Sequence, residues 1–242
     1  MNPYLSIIIP LHNEETRLSR CLDLTLDWLF NTPYQYEINL VDNGSTDDTW
    51  RIANHYAATR DHIIPVRLKE RGKGHAVRAG MLRARGRYRL MMDVDLSTPL
   101  TEIPRALEKI QDSHIVIGSR ELVRAHVRTP IHRRIIGRIF HSLVSNIVPG
   151  IQDTQCGFKL FRDWSAMKLF EMARIDGMAF DVEILYLARL MNYRVYEMSV
   201  HWTHDPDSRV HLIGDSFGML WDVMDMPRRD TMRPRLRREC DP

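Results

Sequence analysis

The sequence has few cysteines, and none of them sit together. Cys21, Cys156 and Cys240 lie far apart and their number is odd. That excludes a disulfide framework and a C-x-x-C metal knuckle, and it fits a reducing compartment. Charge of one sign is also scarce. The formal net charge is +3 over 242 residues, too little by itself to argue for a nucleic-acid partner. Long apolar runs are missing: no stretch approaches the roughly 20 apolar residues of a membrane span. The start, MNPYLSIIIPLHNEE, has no basic segment before its short apolar run, so no signal peptide is expected. The expectation is a soluble or at most peripheral protein in the cytoplasm or at the cytoplasmic face of a membrane. Two nucleotide signatures are absent as well. Gly72, Gly74 and Gly80 do not make G-x-G-x-x-G, and no G-x-x-x-x-G-K-[ST] occurs. Both absences weigh against dinucleotide dehydrogenases and P-loop NTPases.

What is present is an ordinary globular balance, 44% hydrophobic and 27% charged, with enough chain for one large core. Short apolar runs at 6–10, 36–41, 63–68, 88–92 and 114–117 read as strands. Amphipathic helical patterns at 14–30, about 49–57, 73–84 and 101–111 stand between them. This alternation predicts an α/β fold with a mainly parallel sheet flanked by helices. The second half is less regular. A helix is expected at 131–148, a short strand at 157–161, a helix at 181–191 and a strand at 194–200. One catalytic domain over 1–215 is expected, followed by an amphipathic, arginine-rich segment at 216–242.

Ligands on parallel sheets bind beyond the carboxyl ends of the strands. Three loops fall there: 10–14, 42–45 and 93–99. Asp42 closes a strand and is either a turn former or an acceptor for a nucleotide base or ribose. Asp93-Val94-Asp95 places two carboxylates one residue apart at another strand end. If the pleat continues, residues i and i+2 face the same way, and both can face one Mg²⁺ or Mn²⁺ that also binds a diphosphate. Arg71-Gly72-Lys73-Gly74 opens a helix and is either a phosphate turn or a plain cap. Arg120 ends the fifth strand, with Arg134 and Arg138 on one face of the next helix. They form either a phosphate clamp or a solvated basic face. Asp181 and Glu183 start a helix, as dipole partners or as a general base.

In this order, SIIIPLHNEE, LVDNGSTDDT, RGKGHAVRAG, MMDVDLSTP, VIGSR, DTQCGFKLF and FDVEILYLA resemble family 2 glycosyltransferases of the GT-A fold. More narrowly they resemble the polyprenyl-phosphate sugar transferases, with DTQCGFKLF and AFDVEILYLA pointing to the dolichyl-phosphate β-glucosyltransferase side. The resemblance implies inverting transfer from a nucleotide sugar, UDP-glucose favoured, to a polyprenyl phosphate, with Mg²⁺ or Mn²⁺. Pro10, Leu11, Asn13 and Glu14 would line the nucleotide pocket, Asp42 would contact the base, and Lys73 and Val94 would lie beside the nucleotide. Asp93 and Asp95 would hold metal, Asp95 most directly. Arg120 and Arg134 would hold the acceptor phosphate, with Arg138 and Arg209 as further basic partners. Asp153 and Gly157 would shape the acceptor side. Asp181 would be either the base for a hydroxyl acceptor or an orienting residue; a phosphate acceptor, already ionised, favours the second. GDP-mannose as donor and a hydroxyl acceptor are the alternatives. Membrane contact would come from the basic and apolar segments 131–148 and 217–238.

Overall fold

The computed structural model describes residues 2–120, 144–203 and 221–226. The expected helix at 131–148 therefore lies largely outside the described residues, apart from a helical turn at 144–147. Of the C-terminal segment, residues 221–226 are described, and they are helical.

The strands are β1 (Leu5–Leu11), β2 (Tyr36–Asn43), β3 (Ile63–Leu68), β4 (Tyr88–Met91), β5 (Ile115–Ser119), β6 (Lys159–Arg162) and β7 (Val195–Ser199). The helices are α1 (Leu18–Phe30), α2 (Thr49–Ala57), α3 (Lys73–Arg83), α4 (Glu102–Lys109), α5 (Asp163–Met172) and α6 (Phe180–Leu190). The strands form one sheet in the order β3-β2-β1-β4-β6-β5-β7. All pairings are parallel except those of β6, which opposes both β4 and β5.

β1 lies inside the sheet, between β2 and β4, and its Ile7, Ile8 and Ile9 supply apolar side chains to both faces. Ile8 joins Ala76, Val77 and Met81 of α3 and the buried faces of α5 and α6. Ile7 and Ile9 join Leu18, Cys21 and Leu22 of α1, Ala53 of α2 and Ile103 and Ala106 of α4. This double burial is what an unbroken β-branched run requires. Val223 and Met226 of the turn at 221–226 complete the α3–α5–α6 face.

Three sequence expectations shift. The first helix begins at Leu18 rather than Glu14, because Asn13 takes a left-handed φ of 55° and residues 14–17 form a turn. The strand before the acidic pair ends at Met91, so Asp93 and Asp95 lie in a turn and not on a pleated strand. A helix stands at Asp163–Met172, where none was expected.

The end of the sheet away from the acidic pair is held by one buried carboxylate. Glu37 Oε1 accepts from Ser6 Oγ at 2.7 Å and from the Arg85 backbone N–H at 2.6 Å, and Glu37 Oε2 accepts from Arg85 Nε at 3.1 Å. Burial pushes the Glu37 carboxyl up, but the Arg85 amide, the Ser6 hydroxyl and the Arg85 guanidinium outweigh it and hold the group below its usual range. The stabilisation is thus present above the ordinary carboxylate pKa and is lost as pH falls through the depressed folded value. Glu37→Gln is expected to cost about 2 kcal/mol at neutral pH, read as a lower melting temperature. The difference between parent and variant should shrink below about pH 4.

Candidate active site

The carboxyl ends of the parallel strands share one rim, and the loops read from the sequence meet there. After β1, Pro10 is half-buried and Leu11 is 1% exposed, in register with Asp42 of β2. The Asn13 N–H donates to Ser45 Oγ at 3.0 Å, and Asn13 Oδ1 accepts from the Thr46 N–H at 2.9 Å. The left-handed Asn13 thereby ties the loop after β1 to the loop after β2. The Glu14 amide donates to Thr49 Oγ1, and its carboxylate takes Arg17 through Nε and Nη2 at 2.7 and 2.9 Å.

Asp42 is fully buried. Its Oδ1 accepts from the Ser45 N–H at 3.1 Å. Its Oδ2 lies 3.3 Å from Arg67 Nε, but the angle makes no hydrogen bond, and this oxygen has no hydrogen-bond partner among the described residues. Arg67, ion-paired with Asp42, also lays its guanidinium over the Trp50 ring, 5.3 Å from the centroid. A buried carboxylate oxygen without a donor is costly, and an N–H group entering beside Trp50 and Arg67 would satisfy it.

The glycines of Arg71-Gly72-Lys73-Gly74 serve close packing. Gly72 has φ 151° and donates its N–H to Asn43 Oδ1 at 2.8 Å; a Cβ on it would meet the Asp176 carbonyl at 2.4 Å. This turn aims Lys73 across the rim, where Nζ pairs with Asp93 Oδ1 at 2.8 Å. Asp93 lies against the chain at Gly157, where a Cβ would stand 1.8 Å from Asp93 Oδ2. Any side chain there would have to push the Asp93 carboxylate aside. Burial pushes Asp93 up, but the charge and hydrogen bond of Lys73, with Lys159 and Arg120 behind, hold it below the usual carboxylate range. For Lys73, the charges of Asp93 and Asp181 outweigh burial and raise its pKa. Val94 turns into the α1–α4 core at 6% exposure, and Asp95 Oδ1 accepts from the Ser97 N–H at 2.9 Å.

Asp181, at the start of α6, is enclosed. Its Oδ1 accepts from Lys159 Nζ at 2.5 Å, and both side chains are almost fully buried. Burial pushes the Asp181 carboxyl up, against the pull of Lys159 and Lys73. Glu183 takes a different task. Its carboxylate accepts the N–H groups of Arg174 and Ile175 at 2.9–3.1 Å and shapes the turn into α6.

Arg120 follows β5, and its fork is engaged. Nε and Nη2 donate to Asp153 Oδ2 and Oδ1 at 2.6 and 2.9 Å, and the guanidinium lies 5.7 Å from the Trp202 ring centroid. Burial pushes Asp153 up, but Arg120 outweighs it and holds the carboxyl below its usual range. Glu197 of β7 accepts the amides of Gln152 and Asp153. Arg134, Arg138 and Arg209 lie outside the described residues. Lys159, Trp202 and Glu197 were not singled out from the sequence. The signal for Lys159 was there, a lysine between Phe158 and Leu160 in a strand.

Among the described residues no cluster of three or more His, Cys, Asp and Glu side chains can hold an ion unaided. Asp93 and Asp95 still fit a hard cation that shares its shell with phosphate oxygens. Mg²⁺ in nucleotide sites is often held through one or two carboxylates, and the bare backbone at Gly157 leaves Asp93 its place.

The family model for glycosyl transferase family 2 matches residues 6–170. The chain belongs to glycosyl transferase family 2. A dolichyl-phosphate β-glucosyltransferase of Dictyostelium discoideum is 38% identical over 240 residues, covering 92% of this chain and 73% of the relative. A dolichyl-phosphate β-glucosyltransferase of Drosophila melanogaster is 39% identical over 225 residues, covering 85% of this chain and 69% of the relative. Among solved structures, glucosyl-3-phosphoglycerate synthase from Mycobacterium tuberculosis, in complex with Mn²⁺ and UDP-glucose, superimposes with a TM-score of 0.67 at 15% identity. It covers 91% of this chain and 79% of the other. This glycosyltransferase therefore has the GT-A fold, as expected.

Gly157→Ala tests the rim directly. The added methyl must displace the Asp93 carboxylate, and a shift of about 1 Å in a reacting group costs on the order of a hundredfold. Steady-state glycosyl transfer should fall at least about tenfold, with the melting temperature lowered far less than for a core deletion.

Proposed function

We propose that this enzyme transfers glucose, with inversion, from UDP-glucose to a dolichyl or related polyprenyl phosphate, supported by Mg²⁺ or Mn²⁺. The observation that carries the reading is the meeting of Asp42, Asp93 and Arg120 on one rim in a chain whose relatives are dolichyl-phosphate β-glucosyltransferases. Asp42 Oδ2, ion-paired with Arg67 but without a hydrogen-bond donor among the described residues, would accept an N–H of the base. Asp93 and Asp95 would hold the ion, which supplies positive charge to the departing diphosphate. Lys73, already at Asp93, would add a second cation beside that charge.

In the reaction, an oxygen of the acceptor phosphate attacks the anomeric carbon from the face opposite the diphosphate. The carbon–oxygen bond to UDP breaks, and UDP leaves with the bonding pair. A phosphate monoester carries its negative charge near neutral pH, so no base has to remove a proton. The placement of Asp181 supports this. Its carboxylate is occupied by Lys159 and is 3% exposed, which suits an orienting residue better than a base that must reach a hydroxyl. Arg120 would present the acceptor phosphate, joined by Arg134, Arg138 and Arg209. The proposal includes peripheral contact with the cytoplasmic face of a membrane through segments 131–148 and 216–242. Among the described residues, no helix is long and apolar enough to cross one.

Radiolabelled UDP-glucose with dolichyl phosphate and Mn²⁺ is expected to give a product that extracts into organic solvent; no such product from UDP-glucose or GDP-mannose would sink the reading. Asp95→Asn should lower turnover at least about a hundredfold through loss of the ion. Asp181→Asn should lower it only about tenfold. Equal, drastic losses in the two variants would favour a hydroxyl acceptor with Asp181 as base.

A further inference from the structure

Lys159 is a lysine with 1% of its side chain exposed, standing on β6, the one strand among the described residues that runs against its neighbours. On β6 it pairs with Met91 of β4 and Ile117 of β5, the strands that carry the donor-side and acceptor-side loops. Its Nζ donates to the Cys156 carbonyl at 2.6 Å and to Asp181 Oδ1 at 2.5 Å. Burying such a pair is expensive, and apolar residues of like volume usually stabilise a fold at least as well. Its location gives the pair a second task. Cys156 precedes Gly157, against which the Asp93 carboxylate packs in the space a Cβ would take. Three residues before Cys156, Asp153 grips Arg120. The same ammonium acts electrostatically on both Asp93 and Asp153.

We infer that Lys159 is a positioning residue: by anchoring the Cys156 carbonyl to Asp181 at the start of α6, it locks residues 153–157 and fixes the Asp93 carboxylate and the Arg120 guanidinium relative to each other. A transfer between a donor held on one side and an acceptor held on the other depends on that separation. The inference rests on the function proposed above.

The test compares the parent chain with Lys159→Met and Lys159→Gln, each well below its melting temperature. Donor KM and kcat are measured with UDP-glucose, dolichyl phosphate and Mn²⁺, and hydrogen exchange is followed at the amides of 153–158. Lys159→Met should lower kcat about thirtyfold, with donor KM changed less than about threefold, and the amides of 153–158 should exchange faster. Lys159→Gln keeps a donor for the Cys156 carbonyl and should recover part of both losses. Parent-like kcat in Lys159→Met, or unchanged exchange at 153–158, overturns the inference. So does failure of both variants to fold, which would make Lys159 a stability residue. If the parent makes no glycolipid, the proposed function falls instead, and the exchange rates alone decide whether Lys159 locks the loop.

Discussion

A carboxylate drawn away from water must find a cation or surrender its charge; Asp181 is such a group at the mouth of this sheet, and Asp93, partly open to solvent, stands beside it. Lys159 answers the first and Lys73 the second. The four side chains come from four separate elements: the start of α3, the turn after β4, β6, and the start of α6. Their charges balance only when all four elements are in place. The rim is therefore assembled by the tertiary fold, and no local segment carries it alone. The glycines at 72 and 74 let the start of α3 pack against the main chain of 175–177, and the bare backbone at Gly157 leaves room for the Asp93 carboxylate.

Much of this was legible in the sequence. The β-branched run of β1 required burial on both faces, and the alternation of strands and helices fixed the direction of most of the sheet and hence the rim. Asp42, Asp93 and Arg120 were found because each follows an apolar run, and strand ends are where such sheets bind ligands. The pleat argument for Asp93 and Asp95 did not survive, because β4 stops at Met91 and Leu96 takes a left-handed φ of 53°. The two residues are joined through a turn, a shape that period-2 reasoning does not describe. The helix Asp163–Met172 escaped notice because it follows β6 without a break, so strand and helix read as one mixed apolar stretch.

Lys159 was missed for a more general reason. Patterning treats lysine as a solvent marker, and in a strand it marks the exposed face. In β6 both faces are covered, so the lysine had to be buried with a partner 22 residues away in sequence. Nothing local announces such a partner. Arg120 shows the converse. Its place after β5 was readable, but its bidentate engagement by Asp153, 33 residues on, was not.

That engagement bears on how an arginine can serve a phosphate. A guanidinium has five N–H donors in a rigid plane, and here the Nε and Nη2 edge is committed to Asp153. The plane is also set against Trp202. An incoming anion would therefore meet an arginine whose rotamer is already chosen, so less side-chain entropy is lost on binding. Asp153 is itself steadied by Glu197, which accepts the amides of residues 152 and 153. The acidic residues behind Arg120 lower its net positive field, yet they fix its direction. For an acceptor that must meet the sugar from one face only, direction matters more than raw attraction.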